Sequence, residues 1–220
     1  IGSANSEAFV CLTRKDAKVQ TFADVLKTEV IVGASASGGS TVDFPHLLRN
    51  VLGAKFKVVN GYPGTNEISM AIESGEVQGA CGYSWTTLQG RRRNWLTDNL
   101  VNILVQEVAD PYAELTKLGV PVAQQFAKTE EERRVLDLVY SQLKFGRPYV
   151  TAPGVPENRV TALRKAFDAT MKDPAFLAEA GKLDIEIEPI SGEEMAKIVA
   201  RLSTFDKKAV ARAIELTKPD

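Results

Sequence analysis

Val30-Ile31-Val32-Gly33-Ala34-Ser35-Ala36-Ser37-Gly38-Gly39-Ser40-Thr41 runs from a β-branched strand through a loop of small residues into a helix start. Phe56-Lys57-Val58-Val59-Asn60-Gly61-Tyr62-Pro63-Gly64-Thr65-Asn66 repeats the plan a few residues later. After the first loop, Thr41 to Leu52 reads as a helix with Phe44, Leu47, Leu48, Val51 and Leu52 on one face. Pro45 falls in or near its first turn, and Gly53 supplies the stop. After the second loop, Thr65 reads as the cap of a helix from Asn66 to Ser74 that Gly75 ends. Pro63 and Gly64 fit the central positions of a type II turn, with Gly64 at positive φ and Tyr62 displayed beside it. Each helix start leaves backbone N–H groups without internal partners and carries about half a positive charge. Two such starts facing one crevice hold an anion without Lys or Arg, so the pair points to a small carboxylate or phosphate.

Outward from these units, strands alternate with helices. Glu7 to Leu12, Val77 to Tyr83 and Asn102 to Val105 read as strands, and Phe22 to Lys27 as a short helix. Thr129-Glu130-Glu131-Glu132 is a capping box that opens a helix to about Leu143. Arg147 to Ala152 reads as extended. Pro156 opens a helix lined by Val160, Leu163, Phe167 and Met171. Asp173-Pro174 starts another, and Ile185 and Ile187 alternate with acids as a strand. Ser191-Gly192-Glu193-Glu194 caps a final helix or helix pair to Thr217. The alternation predicts an α/β fold with a mostly parallel sheet. Residues 15 to 146 carry the tandem units. Residues 147 to 220 hold too few strands for a parallel sheet of their own and complete a domain that also uses the N-terminal strand.

The 220 residues are 44% hydrophobic and 25% charged, the balance of a soluble globular protein of one large or two small domains. With 27 basic against 28 acidic side chains, nothing favours nucleic acid or a membrane surface as partner. No apolar run approaches the ~18 residues of a membrane span, so direct membrane insertion is not expected. Ile1 opens into ordinary sequence without a visible signal peptide. Cys11 and Cys81 do not make a disulfide framework; they read as small buried hydrophobes, with a bridge open if the compartment is oxidising.

Signals for catalysis are thin. Gly33-x-x-x-x-Gly38-Gly39-Ser40 nearly matches a nucleotide-binding P-loop, but Gly39 stands where the phosphate-reaching lysine belongs, which argues against an ATPase or GTPase. His46 is the only histidine, so neither a Ser–His–Asp triad nor a His-rich metal site can be built, and it reads as a surface or edge residue. No catalytic residue, metal ligand or cofactor is expected. Asp43 and Glu67 suit helix starts, and Arg91-Arg92-Arg93 beside Trp95 suits a solvated face. Tyr83 and Trp85 fit either a ligand wall or the core. The expected ligand contacts are Ser35, Ser37, Gly39, Ser40 and Thr41 in the first loop and Tyr62, Gly64, Thr65 and Asn66 in the second. Ser3, Ala4 and Asn5, and Tyr83 and Ser84 at the end of the Val77 strand, are further candidates.

Over nearly its whole length the chain resembles the periplasmic solute receptors of tripartite tricarboxylate transporters, the TctC-like or Bug family. The resemblance rests on the order and spacing of several segments. They are the Gly33–Ser40 loop, Gly61-Tyr62-Pro63-Gly64, Ile72-Glu73-Ser74-Gly75-Glu76-Val77, Arg147-Pro148-Tyr149-Val150-Thr151-Ala152-Pro153-Gly154-Val155-Pro156, Ala162-Leu163-Arg164-Lys165-Ala166-Phe167, Lys172-Asp173-Pro174-Ala175-Phe176-Leu177 and Ser191-Gly192-Glu193-Glu194. It implies a periplasmic-binding-protein-like (type II) fold of two lobes that close on a carboxylate held by backbone amides and waters on two loops. Residues 1–14 and 147–220 would form an incomplete lobe I and 15–146 lobe II, with crossings near Val10 to Arg14 and Phe145 to Val150. About a hundred residues of the first lobe, and a signal peptide with them, are expected upstream by comparison with two lobes of similar size. The implied role is a non-catalytic periplasmic receptor that delivers a small organic carboxylate to membrane transporter subunits. An α/β enzyme acting on an acidic or phosphorylated small molecule, and a ligand-sensing module, are the alternatives.

Overall fold

Short β-branched and apolar runs alternate with amphipathic stretches along the chain, and the computed structural model turns that pattern into eight strands and eleven α-helices among the residues it describes, 1–183, 185 and 187–218. The strands are β1 (Gly2–Ser3), β2 (Phe9–Arg14), β3 (Val30–Gly33), β4 (Phe56–Val59), β5 (Gly79–Ser84), β6 (Val101–Glu107), β7 (Pro148–Tyr149) and β8 (Ile190–Ser191). The helices are α1 (Phe22–Val25), α2 (Ser40–Leu52), α3 (Thr65–Ser74), α4 (Trp85–Arg91), α5 (Arg93–Thr97), α6 (Ala113–Lys117), α7 (Glu130–Ser141), α8 (Glu157–Thr170), α9 (Pro174–Lys182), α10 (Gly192–Leu202) and α11 (Lys207–Leu216).

The chain divides into two units, Ile1–Glu7 with Ser141–Phe205, and Ala8–Tyr140 with Asp206–Asp220. It therefore passes between them after residues 7, 140 and 205. Val10 to Arg14, expected as a crossing and as part of the first lobe, lies inside β2 of the larger unit. There it is paired on both edges, with β5 and with β6. The last helix, α11, also belongs to the larger unit and packs on α2, where Asn50 donates to the Leu216 carbonyl at 3.0 Å.

The larger unit carries a five-stranded sheet in the order β4-β3-β5-β2-β6. β3 runs parallel to β4 and β5, whereas β2 runs antiparallel to both its neighbours. Four strands thus point one way and β2 against them, so the sheet is mixed. Val10 and Leu12 of β2, Ile68 and Ile72 of α3, Leu88, Trp95 and Leu115 fill its core. Each such buried side chain contributes roughly 1.5–3 kcal/mol. Gly53 and Gly75 end α2 and α3 in left-handed conformation at φ 74° and 82°. The smaller unit holds a three-stranded sheet, β7-β1-β8, in which both pairings are antiparallel. Ala4, Phe167 and Met171 form its core cluster. Ile185 and Ile187 are in no strand, and the pairing falls instead at Ile190–Ser191; the acids Asp184 and Glu186 lie outside the described residues.

Candidate functional site

β3 and β4 are adjacent and parallel, so the loops after them emerge at the same edge of the sheet. The two loops bind each other through main chain. Ala34 N–H donates to Val59 O at 2.8 Å, Tyr62 N–H to Ala34 O at 3.2 Å, and Gly61 N–H to Ser35 O at 3.5 Å. β4 lies on one side of β3 and β5 on the other, and the chain leaves β3 towards β4 but β5 towards β6, so strand order reverses between β3 and β5, beside the first loop, at the carboxyl ends of parallel strands. Open α/β sheets bind ligands at such points.

Both loops feed helix starts that no side chain caps. Gly39 is the N-cap of α2 and Gly64 that of α3. In α2 the Val42 amide turns back to Gly39 O at 2.9 Å, so it is the Ser40 and Thr41 amides there, and the first-turn amides of α3, that have neither an intrahelical acceptor nor a capping oxygen and carry the positive end of the helix dipole. In the first loop, Gly38 adopts φ 85° and the hydroxyls are organised by one another. Ser35 N–H donates to Thr41 Oγ1 at 3.1 Å, with Ser35 Oγ 2.9 Å from the same oxygen. Ser40 Oγ donates to Gly82 O at 2.9 Å. Asp43, in the first turn of α2, is half-buried, and burial pushes its carboxyl above the usual range, an effect that the nearby Gly38 N–H offsets only in part.

The second loop differs from expectation in its turn. The positive φ falls at Gly61, 109°, and Gly64 is extended at φ −173°, because Gly64 rather than Thr65 serves as the N-cap; Thr65 is the first helical residue. Tyr62 does not present a free hydroxyl. It donates to Glu76 at 2.6 Å, and burial followed by that carboxylate pushes the phenol up to about 12.

Ser35, Ser37, Gly39, Ser40, Thr41, Tyr62, Gly64, Thr65 and Asn66 therefore lie on or beside one rim of the larger unit. The remaining candidates are placed elsewhere. Tyr83 is 1% exposed and belongs to the core, its hydroxyl 2.9 Å from Ser69 Oγ and its ring beside Trp95. Ser84 caps α4, accepting from Thr87 N–H. Ser3, Ala4 and Asn5 are buried in the smaller unit, where Ser3 Oγ donates to Asn5 O and accepts from Arg147 N–H. His46, expected at the surface, is buried, because α2 is covered on more than its apolar face: it packs on β5 and β4 and also on α11, which meets Asn50 one turn beyond His46. Arg92 stands 5.9 Å above the Trp95 ring and 3.7 Å from Glu73, while its neighbours Arg91 and Arg93 are exposed.

Behind the rim lies a group that the sequence reading passed over. Glu107, the last residue of β6, is 0% exposed. Its Oε2 accepts from Gly82 N–H at 2.7 Å, and its Oε1 is 3.4 Å from Cys11 Sγ. Burial, only partly offset by the Gly82 N–H, raises this carboxyl from 4.5 to about 8. Cys11 and Cys81 are joined as a disulfide across β2 and β5. Cys11, Cys81 and Glu107 stand close enough together to hold a metal ion, but the sulfurs are bonded to each other. The only signal for Glu107 in the sequence is an acid following an apolar strand, and the strand was read as ending at Val105.

No family model matches the chain, and no curated protein does. Solved structures do. A TctC solute-binding protein from Polaromonas, solved with no ligand, superposes with a TM-score of 0.68 at 15% identity, covering 96% of this chain and 68% of that one. An R. palustris protein with adipate gives 0.58 at 17%, covering 97% and 67%. A periplasmic transporter gives 0.54 at 16%, covering 92% and 63%. The chain spans about two thirds of the length of the structures it matches. Among the described residues no helix is long and apolar enough to cross a membrane. The chain has the fold of periplasmic solute-binding proteins, the TctC type among them.

Proposed function

We propose that this chain is a non-catalytic periplasmic receptor that takes up a small organic carboxylate on the rim formed by the first and second loops and delivers it to a tripartite tricarboxylate-type membrane transporter. The observation that carries the reading is the pair of uncapped helix starts, Gly39 into α2 and Gly64 into α3, on two loops hydrogen-bonded to each other. Backbone donors at two helix N-termini favour an anion with two or more oxygens over a cation or an apolar solute. The adipate in the R. palustris structure makes a linear dicarboxylate the first acid to try. The loop hydroxyls of Ser35, Ser37, Ser40 and Thr41 and the side chain of Asn66 would complete the polar lining.

The test is a thermal-shift screen against mono-, di- and tricarboxylates, with phosphate and ATP as controls. A ligand present at a hundred times its dissociation constant adds about 2.7 kcal/mol to stability. A saturable shift with one class of acid is expected. A flat response to every acid, or a shift with ATP alone, would overturn the reading.

A further inference from the structure

Among the described residues Glu107 is the one fully buried carboxyl, and only a single residue, Gly82, links it to the first loop. Gly82 donates its N–H to Glu107 Oε2 at 2.7 Å and offers its carbonyl to Ser40 Oγ at 2.9 Å. Gly82 also lies in contact with the start of α2, since a Cβ built on it would strike the Ser40 carbonyl and the Thr41 nitrogen. Two hydrogen bonds and one residue of backbone put the carboxyl within about 10 Å of Ser40 Oγ. The Cys11–Cys81 disulfide ties together β2 and β5, and Cys11 Sγ stands at the other carboxyl oxygen.

Resting on the carboxylate-receptor reading above, we propose that Glu107 is a positioning residue that makes the first loop pH-sensitive. With its proton on, the α2 N-terminus holds an anion at full strength; with its proton off, a buried negative charge behind the loop opposes the anion and pulls on the Gly82–Ser40 relay. Burial raises the carboxyl to about 8, which puts the change just above neutrality. The neighbours of Glu107 can be accounted for element by element. On α7, the Tyr140 hydroxyl is fully buried and is pushed up by burial and then by the Glu107 charge. On β2 and β5, Cys11 and Cys81 do not titrate, the Tyr83 hydroxyl is engaged by Ser69, and Arg14 is paired with Asp16. On α2, packed against β5, the buried or half-buried titratable and charged residues are Asp43, His46 and Arg49. The rest of β6, Val101 to Gln106, carries no titratable side chain. A like charge about 10 Å away at an effective dielectric of ~20 weakens an anion on the order of ten-fold.

The experiment follows backbone amide resonances of the full chain, without ligand, from about pH 6 to 9.5, in wild type and in Glu107→Gln. Gly82 reports the titration of the carboxyl directly. The expected result is that Ser37, Gly39, Ser40 and Thr41 move with the same midpoint, near 8, and that none of this movement survives in Glu107→Gln. Movement of Gly82 alone, or loop movement that persists in the variant, would overturn the proposal. Adipate titrated over the same range is expected to bind wild type about ten-fold more weakly above the midpoint and Glu107→Gln equally at all values. If the amides titrate together and no carboxylate binds at any pH, the receptor reading fails and the coupling stands.

Discussion

Removing the buried carboxyl by Glu107→Gln is expected to stabilise the protein increasingly as pH rises. A carboxyl whose pKa is raised in the folded state binds more protons folded than unfolded, so stability falls with rising pH. For Glu107 the loss begins near the ordinary 4.5, where the unfolded chain starts to ionise, and levels off above about 8, where the folded protein has ionised too. The whole gap corresponds to roughly 5 kcal/mol, of which about 3–4 kcal/mol is lost between pH 5 and 8. Full burial leaves no solvent to screen the effect. Glutamine keeps an oxygen for the Gly82 N–H at 2.7 Å and cannot ionise. Urea melts of the two proteins across this range give the difference directly. The curves are expected to lie close near pH 5 and to diverge by a few kcal/mol at pH 8, the variant being the more stable. Parallel curves, or a variant that loses stability faster as pH rises, would refute the assignment of a raised Glu107.

Gly39→Val and Gly64→Val test the loops without straining the backbone, since neither glycine has positive φ. The nearest atoms to their added Cβ are Ser35 Oγ at 3.2 Å and Glu67 Oε2 at 3.4 Å, both ends of movable side chains. Titration calorimetry is expected to show carboxylate affinity reduced at least ten-fold, with a melting temperature within a few degrees of wild type. Gly82→Ala is expected to cost roughly 3 kcal/mol or more in a chemical melt, because φ is 58° and the methyl group runs into the backbone of α2. Replacing Cys11 and Cys81 together by alanine opens a loop with a sequence separation of 70 and is expected to cost about 4 kcal/mol on the chain-entropy account, measured against the oxidised protein.

The tandem strand–loop–helix pattern was legible because it rests on local chemistry: β-branched strands, small loop residues and glycine stops. β3, α2, β4, α3 and Gly53 and Gly75 follow it to within a residue or two. Departures arose where long-range pairing decides. The direction of β2 depends on partners at β5 and β6, so its place in a mixed sheet could not be read from Phe9–Arg14 alone. The turn at Tyr62-Pro63-Gly64 was misassigned because Gly64 satisfies either a positive-φ turn or an N-cap, and the hydrogen bonds to the first loop favour the latter. Tyr83 and His46 are amphipathic enough for either environment, and packing buried both. Glu107 was invisible because nothing local distinguishes a sealed acid from one at a strand end. Its meaning comes from Gly82 and Cys11, which are distant in sequence.

The central claim is that a carboxylate sits on the amides at the starts of α2 and α3. The most direct measurement is a titration of the isotopically labelled chain with adipate, followed by backbone amide resonances below neutral pH. The account predicts saturable shifts concentrated at Ser37, Gly39, Ser40 and Thr41 and at Gly64, Thr65 and Asn66, with a single dissociation constant. Saturable shifts confined to other residues, leaving both loops still, would contradict it.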